Sequence, residues 1–376
     1  MDIKTLLLRQ FSLYSAMEME DVVKLLYQSE FGGGHAFLSQ ASFSQQLEEE
    51  LACEEMRSMP KAAIEEIGGG YYRVPLSLLK EGPSVPTMSK LSMLSSRRNK
   101  GSWAGFLEKL KTVQGMISSG QVPLSEEKWN AFLQDCTEET CLPLHHSKRF
   151  KALYKPHYRV LEGSLALFLP VFAAVDHALS QKPHTLLGID GMCASGKSTL
   201  ASLLNEVYDC GIVYTDDFFL RYAQRTPKRL DEPGGNIDYE RLAPVALQAA
   251  DDRAFSYPRY NCATGEMGEE RQVPAAALTV LEGVYALHPK VNAACDIRVF
   301  LMVDSLRQAA RIKKRSPAKE KLFFEQWIPQ ENAYFVAFSI RESCDVVIDT
   351  TALDDEIPTA IAADEWGQSG DEEPAT

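Results

Sequence analysis

The string Gly191-Met192-Cys193-Ala194-Ser195-Gly196-Lys197-Ser198 constrains this chain more than any other feature. It has the form G-x-x-x-x-G-K-S. It stands directly between an apolar run, TLLGID, and a helical segment from about Lys197 to Val207. A strand, a glycine-rich loop and a helix in that order make a cradle for phosphate. The glycines let successive N–H groups turn inward, and the helix N-terminus adds positive potential. Lys197 is expected to reach the β- and γ-phosphates, and the Ser198 hydroxyl to ligate Mg²⁺. Alone, the loop says that a nucleoside triphosphate binds. A GTPase is disfavoured because the chain has no N-K-x-D. Asp231-Glu232-Pro233-Gly234 matches D-x-x-G by pattern only and follows no apolar strand. The lack of L-S-G-G-Q speaks against a transporter ATPase.

After Pro183, short apolar runs alternate with helical segments: TLLGID, GIVYTDD, LTVLEGVY, IRVFLMV and DVVIDT. The alternation predicts an α/β fold, a P-loop NTPase-type parallel sheet with helices on both faces. Asp216 and Asp217 end the second of these strands, where open α/β sheets hold ligands. Either one of them accepts a proton from an attacking hydroxyl, or both are solubilising strand-end charges that cap a helix. Glu282 ends another strand, in the place of a Walker-B acid beside Mg²⁺. Arg225 to Leu242 reads as a charged loop, with a helix starting near Asp238. Arg225 and Arg229 either put cations where a substrate phosphate or carboxylate would bind or are ordinary loop charges. Arg307, Arg311 and Arg315 fall four apart on one helix face, which is also what a solvated helix surface would show.

The order of these motifs resembles the uridine kinase and phosphoribulokinase group of P-loop kinases. The residues that carry the resemblance are GIDGMCASGKSTL, TDDFF, LDEP, SYPRYNCAT, LEGVYAL and DIRVFLMVDSLRQAARIKKR, over about 184–350. The resemblance implies ATP, bound on Gly191 through Thr199, with Mg²⁺ on Ser198 and Glu282. It implies Asp216 as the general base and Arg311 and Lys314 as lid cations that join Lys197 in catalysis. Asp231 and Tyr260, with Asp217, become substrate contacts, and the acceptor is a small molecule, a nucleoside first. Gly265 stands about where uridine kinases carry a base-reading His, and Asn261 replaces an Asp. A sugar phosphate or other anionic alcohol is therefore an alternative acceptor. A nucleotide-dependent regulatory or binding protein is the alternative from another class. FEQWIPQENAYF, KLLYQSEFGGGH and RTPKRLDEPGGN are similar to segments of uridine kinase-like proteins with a helical N-terminal extension.

Upstream, 1–155 reads as a mainly α-helical accessory domain, and 156–183 as a connecting helix and linker. Kinase texture follows over 184–352. Met17–Gln28, Phe43–Met56 and Trp103–Ile117 have helical periodicity, YYRVPL is strand-like, and Tyr158–Leu179 is expected to be helical. Lys80–Lys100, rich in Ser, Pro and basic residues, is expected to be a loop. His35 and Tyr71-Tyr72-Arg73 each follow three glycines, which either frame a ligand or partner site or simply end helices. Cys136, Cys141, His145 and His146 are spaced too loosely to make a persuasive metal site.

Charge settles less than its size suggests. The chain has 39 basic and 52 acidic residues, a net of -13. The segment 353–376 holds eight of those acids and no base, and its composition predicts disorder. Overall acidity speaks against a nucleic-acid partner. The most apolar stretch, Leu165–Val175, falls short of the about 20 residues a spanning helix needs. MDIKTLLLRQFSLYS does not read as a signal peptide. Eight scattered cysteines without a C-x-x-C fit reduced thiols. The expectation is a cytoplasmic protein with no membrane partner, and a homo-oligomer is left open.

Overall fold

In the first 166 residues, apolar faces of helices close on one another around a small sheet. The computed structural model describes residues 1–33, 40–53, 63–141, 144–262 and 264–353. His35, the end of the predicted Phe43–Met56 helix and the acidic tail from 354 lie outside these. The chain divides into two units, Met1–Ala166 and Leu167–Thr376.

The first unit contains α1 (Ile3–Leu13), α2 (Met19–Phe31), α3 (Gln40–Ala52), β1 (Glu65–Glu66) and β2 (Tyr71–Pro75). There follow α4 (Val85–Arg97), α5 (Trp103–Ser118), α6 (Glu126–Asp135), α7 (Lys148–Tyr154) and β3 (Tyr158–Glu162). Its core gathers Leu6, Val22, Leu26, Phe106, Leu110 and Trp129. The strands run β1-β2-β3, antiparallel throughout. A capping box of Glu18 and Asp21 starts α2, and Gly32, at φ +65°, ends it. The second glycine triplet has a different task. Gly68, Gly69 and Gly70 all have positive φ and turn β1 into β2, and a Cβ on Gly69 would lie 1.7 Å from Ser29 O.

Two sequence expectations are corrected in this unit. Lys80–Lys100 is not a loop, because Val85–Arg97 forms α4, with the Ser84 side chain accepting from Thr87 N–H and proline in the first turn. The serines that suggested loop lie buried in the helix, where Ser89 and Ser92 hydroxyls donate to the carbonyls of Val85 and Met88. Tyr158–Glu162 is strand rather than helix. It pairs with β2 in register Arg73↔Val160, and helix begins only at Gly163.

The second unit opens with α8 (Leu169–Gln181) and places five parallel strands in the order β10-β9-β4-β8-β5. These are β4 (Thr185–Gly191), β5 (Gly211–Tyr214), β8 (Leu278–Glu282), β9 (Ile297–Met302) and β10 (Val346–Asp349). Every residue of β4 and β8 is buried, so side chains pointing to either face are covered. α8 packs on β4 and β9, and α9 (Lys197–Tyr208) on β4 and β8. Next come α10 (Pro227–Asp231) and α11 (Tyr239–Ala249), the latter with Asp238 as its N-cap. A separate antiparallel hairpin joins β6 (Phe255–Asn261) to β7 (Glu266–Val273). The last helices are α12 (Ser305–Arg315) and α13 (Ile328–Ala337). The fold is thus an α/β P-loop arrangement preceded by a mainly helical unit. Among the described residues no helix is long and apolar enough to cross a membrane.

Candidate active site

The central strand β4 ends on a buried carboxylate, Asp190, that ties three segments together. Its Oδ1 accepts from the N–H groups of Gly191 (2.7 Å) and Tyr285 (3.2 Å). Its Oδ2 accepts from Leu287 N–H (3.0 Å) and the Tyr334 hydroxyl (2.8 Å). Burial holds this carboxyl above its ordinary range, against the pull of those donors.

The loop that follows needs its glycines. Gly191 has φ +134°, and a Cβ there would meet Leu301 O at 2.1 Å; Gly196 has φ +95°. Ala194 holds φ +58° without that freedom, a strained conformation of the kind that clusters at ligand clamps. The Lys197 ammonium donates to the carbonyls of Gly191 (2.8 Å) and Met192 (2.9 Å), so it lies along the loop.

Ser198, in the first turn of α9, donates to Glu282 Oε1 at 3.0 Å. Glu282 is pushed up to about 7, chiefly by burial and then by the charge of Asp216, with Lys197 and the Ser198 bond opposing. Asp216 is exposed to solvent, yet enough protein surrounds it that desolvation leads an upward shift. Lys197 opposes, Asp217 adds, and Arg315 opposes more weakly. Asp216 makes no hydrogen bond to another described residue. Lys197, Ser198, Asp216 and Glu282 therefore form one electrostatic site at the C-terminal ends of β4, β5 and β8. A serine hydroxyl bonded to Glu282, itself raised by the nearby charge of Asp216, is a hard-oxygen set in want of a cation, and it fits Mg²⁺. That ion is commonly held by one or two carboxylates plus phosphates. No cluster of three or more His, Cys, Asp or Glu that could hold a metal occurs among the described residues. His146 is engaged by Asp21 and Tyr158, at 2.7 Å each.

Other residues expected in the site are placed differently. Asp217 is buried and accepts from the Tyr257 hydroxyl (2.9 Å), Arg259 Nε (3.2 Å) and Arg271 Nε (2.8 Å), which moors the β6–β7 hairpin. Adjacent residues of one tight turn thus point to separate tasks. Arg229 donates to the carbonyls of Gly235 (3.1 Å) and Ile237 (3.0 Å) and pairs with Glu240, and Arg225 Nε donates to Leu220 O (3.1 Å). Both thereby brace their own loop. Asp231 is exposed at the end of α10 and Tyr260 is buried in β6, and no hydrogen bond joins either to Asp216. Arg311 reaches Ala194 O (3.2 Å), Thr350 O (2.8 Å) and Leu353 O (3.0 Å), so it fastens the phosphate loop to the end of β10. Lys314 is exposed. Arg315, not singled out from the stripe, is the α12 cation whose charge bears on Asp216.

Three further residues hold the loop from behind. Glu331 accepts from Cys193 N–H at 3.0 Å, Gln308 Nε2 donates to Cys193 O at 3.0 Å, and Tyr334 reaches Asp190 as above. Glu331 and Tyr334 both come from FEQWIPQENAYF, a segment to which sequence reasoning gave no task. Their spacing of one helical turn among apolar neighbours was the available signal.

No family model matches the chain. A uridine kinase of Clostridium botulinum (strain Langeland) is 28% identical over 134 residues, 33% of this chain and 65% of that protein. A pantothenate kinase of Lactococcus lactis is 26% identical over 204 residues, 48% of this chain and 62% of that protein. The matches thus span under two thirds of either kinase. A solved structure described as a possible uridine kinase from Bacillus stearothermophilus is 20% identical, covering 48% of this chain and all of that one, with a TM-score of 0.35. In sequence the chain is similar to P-loop kinases of the uridine kinase kind.

Proposed function

We propose that this chain is a kinase that uses ATP and Mg²⁺ to phosphorylate a hydroxyl of a small metabolite, most simply a nucleoside. Asp216 carries the reading. It is a carboxylate open to solvent, uncommitted to any described side chain, in the field of Lys197, Asp217 and Arg315. Phosphoryl transfer asks for positioning and charge neutralisation more than covalent chemistry. In this reading Asp216 orients the acceptor hydroxyl and takes its proton, and its upward shift brings it nearer the operating pH of a general base. The loop N–H groups and Lys197 hold the triphosphate. Ser198 and Glu282 would hold Mg²⁺, which when bound neutralises phosphate charge. Arg311 keeps the loop in shape, while Lys314 and Arg315 supply positive charge at the rim. The similarity to uridine kinases supports a nucleoside.

A second reading is an acceptor that carries its own anionic group, for which the Arg259 and Arg271 guanidiniums gathered on Asp217, next in the chain to Asp216, supply positive charge. The similarity to a pantothenate kinase points the same way. Purified protein with ATP and Mg²⁺ should consume ATP only when an acceptor is added, with uridine and pantothenate as the first two tried. Asp216→Asn should lower turnover roughly a hundredfold or more, and Lys197→Ala should abolish it. Acceptor-independent hydrolysis that survives Asp216→Asn would sink the kinase reading in favour of a nucleotide-dependent switch.

A further inference from the structure

The unit Met1–Ala166 contains a cavity of about 240 Å³ lined by Lys24 and Gln28 of α2, Gly33, Glu50, Tyr158 and Arg159. Lys24 has a single hydrogen-bond partner among the described residues, Leu144 O at 3.5 Å, the outer edge of a hydrogen bond. No described carboxylate lies within ion-pair reach of it. The nearby acids are committed elsewhere. Glu50 accepts from Arg159 Nη2 and pairs with His157 Nδ1, both at 2.8 Å. Asp21 binds His146, and it takes the hydroxyl (2.7 Å) and N–H (3.0 Å) of Ser147. Of the charges felt by Lys24, Arg73 and Lys151 repel it and Asp21 alone attracts. With burial as the largest cause, its ammonium is lowered to about 8.

Gln28 completes the picture. Its Oε1 accepts from Arg73 Nε (3.3 Å), Arg73 Nη2 (3.1 Å) and the Tyr158 hydroxyl (3.1 Å). That fixes the carboxamide and leaves both Nε2 hydrogens without a partner among the described residues. The cavity therefore offers an uncompensated ammonium and spare N–H donors, while its carboxylate is already spoken for. A half-buried cation without a counter-ion is costly, and the arrangement suits a charged acceptor. The volume lies below the roughly 300–1,000 Å³ of pockets for drug-sized ligands, so the guest is compact.

We infer that this cavity is a second ligand site, in which Lys24 and Gln28 bind the carboxylate or phosphate group of a small anion. The site is built from residues of the first unit alone and does not depend on the kinase reading. Isothermal titration of the full chain and its Lys24→Met variant tests it, with inorganic phosphate and malonate in separate arms at fixed ionic strength. Binding at the phosphate loop is common to both chains and cancels in the comparison. The parent should take up one more phosphate or malonate per chain than the variant, or bind it roughly tenfold more tightly. The arm that responds identifies which group is read, and a response in both defines a general anion site. Without added anion, Lys24→Met should melt at or above the parent's temperature, since it removes an unpaired ammonium. Equal uptake by both chains at millimolar anion, or a Lys24→Met chain that melts lower or fails to fold, would overturn the site and make Lys24 a structural residue.

Discussion

Glu331 brings a carboxylate against the backbone of the phosphate loop, where it accepts from Cys193 N–H. Burial pushes it up to about 7 from 4.5, with Lys197 and the Cys193 bond opposing. The sign of its effect on stability follows. Below the unfolded value both states are protonated and the residue costs nothing. As pH rises through the folded value, the native state must ionise a buried acid that the unfolded chain ionises freely, so stability is lost. Glu331→Gln keeps an acceptor for Cys193 and removes the ionisation. The melting temperature of the variant minus that of the parent should become more positive between about pH 5 and about pH 8. A difference that stays flat across that range would mean that Glu331 does not ionise there. Asp216 and Asp217 make a related point. The string TDDFF placed a pair of carboxylates at a strand end, but it carried no information on which one faces Lys197 and which one moors a hairpin.

Among the elements, α13 is the one whose role was least visible. It delivers Tyr334 to Asp190 and Glu331 to Cys193, and so braces the end of β4 and the loop beyond it. Tyr334→Phe leaves Asp190 Oδ2 with only the Leu287 N–H. It should cost about 1–3 kcal/mol, read as a lower urea midpoint with an unchanged slope. The five parallel strands were legible because each is a short apolar run, buried throughout in β4 and β8, and α9 because a lysine-serine pair after glycine opens it. α4 was not, because buried serines that bond back to carbonyls one turn earlier mimic loop composition. β3 was hidden because Tyr158–Glu162, with Val160 and Leu161 adjacent and both buried, does not alternate and merges into the apolar run of the following helices. Of the site, Ser198 bonds Glu282, on which the charges of Asp216 and Lys197 also act. The partners that occupy Arg229 and Arg311 are distant in sequence or lie in backbone carbonyls, which no side-chain pattern records.

For the molecule as a whole, the net charge of -13 is mostly terminal, since 354–376 carries eight acidic residues and no basic one. Arg311 holds the carbonyl of Leu353, the last described residue. A chain ending after Leu353 should therefore keep ATP turnover within about twofold, in line with the small effects of changes away from packed features. A chain ending before Thr350 should lose it, because Thr350 accepts from Arg311 through both its carbonyl and its hydroxyl. Steady-state assays of the two truncations decide this. The same arginine, together with Gln308, has a mechanical consequence. α12 is stitched to the backbone of Cys193 and Ala194 along its first two turns, so it has no pivot at its N-terminus. Further along, Ile312 and Phe323 pack into one buried cluster with Cys193, so the basic segment from Lys313 to Leu322 is tied to the nucleotide cradle at both of its ends.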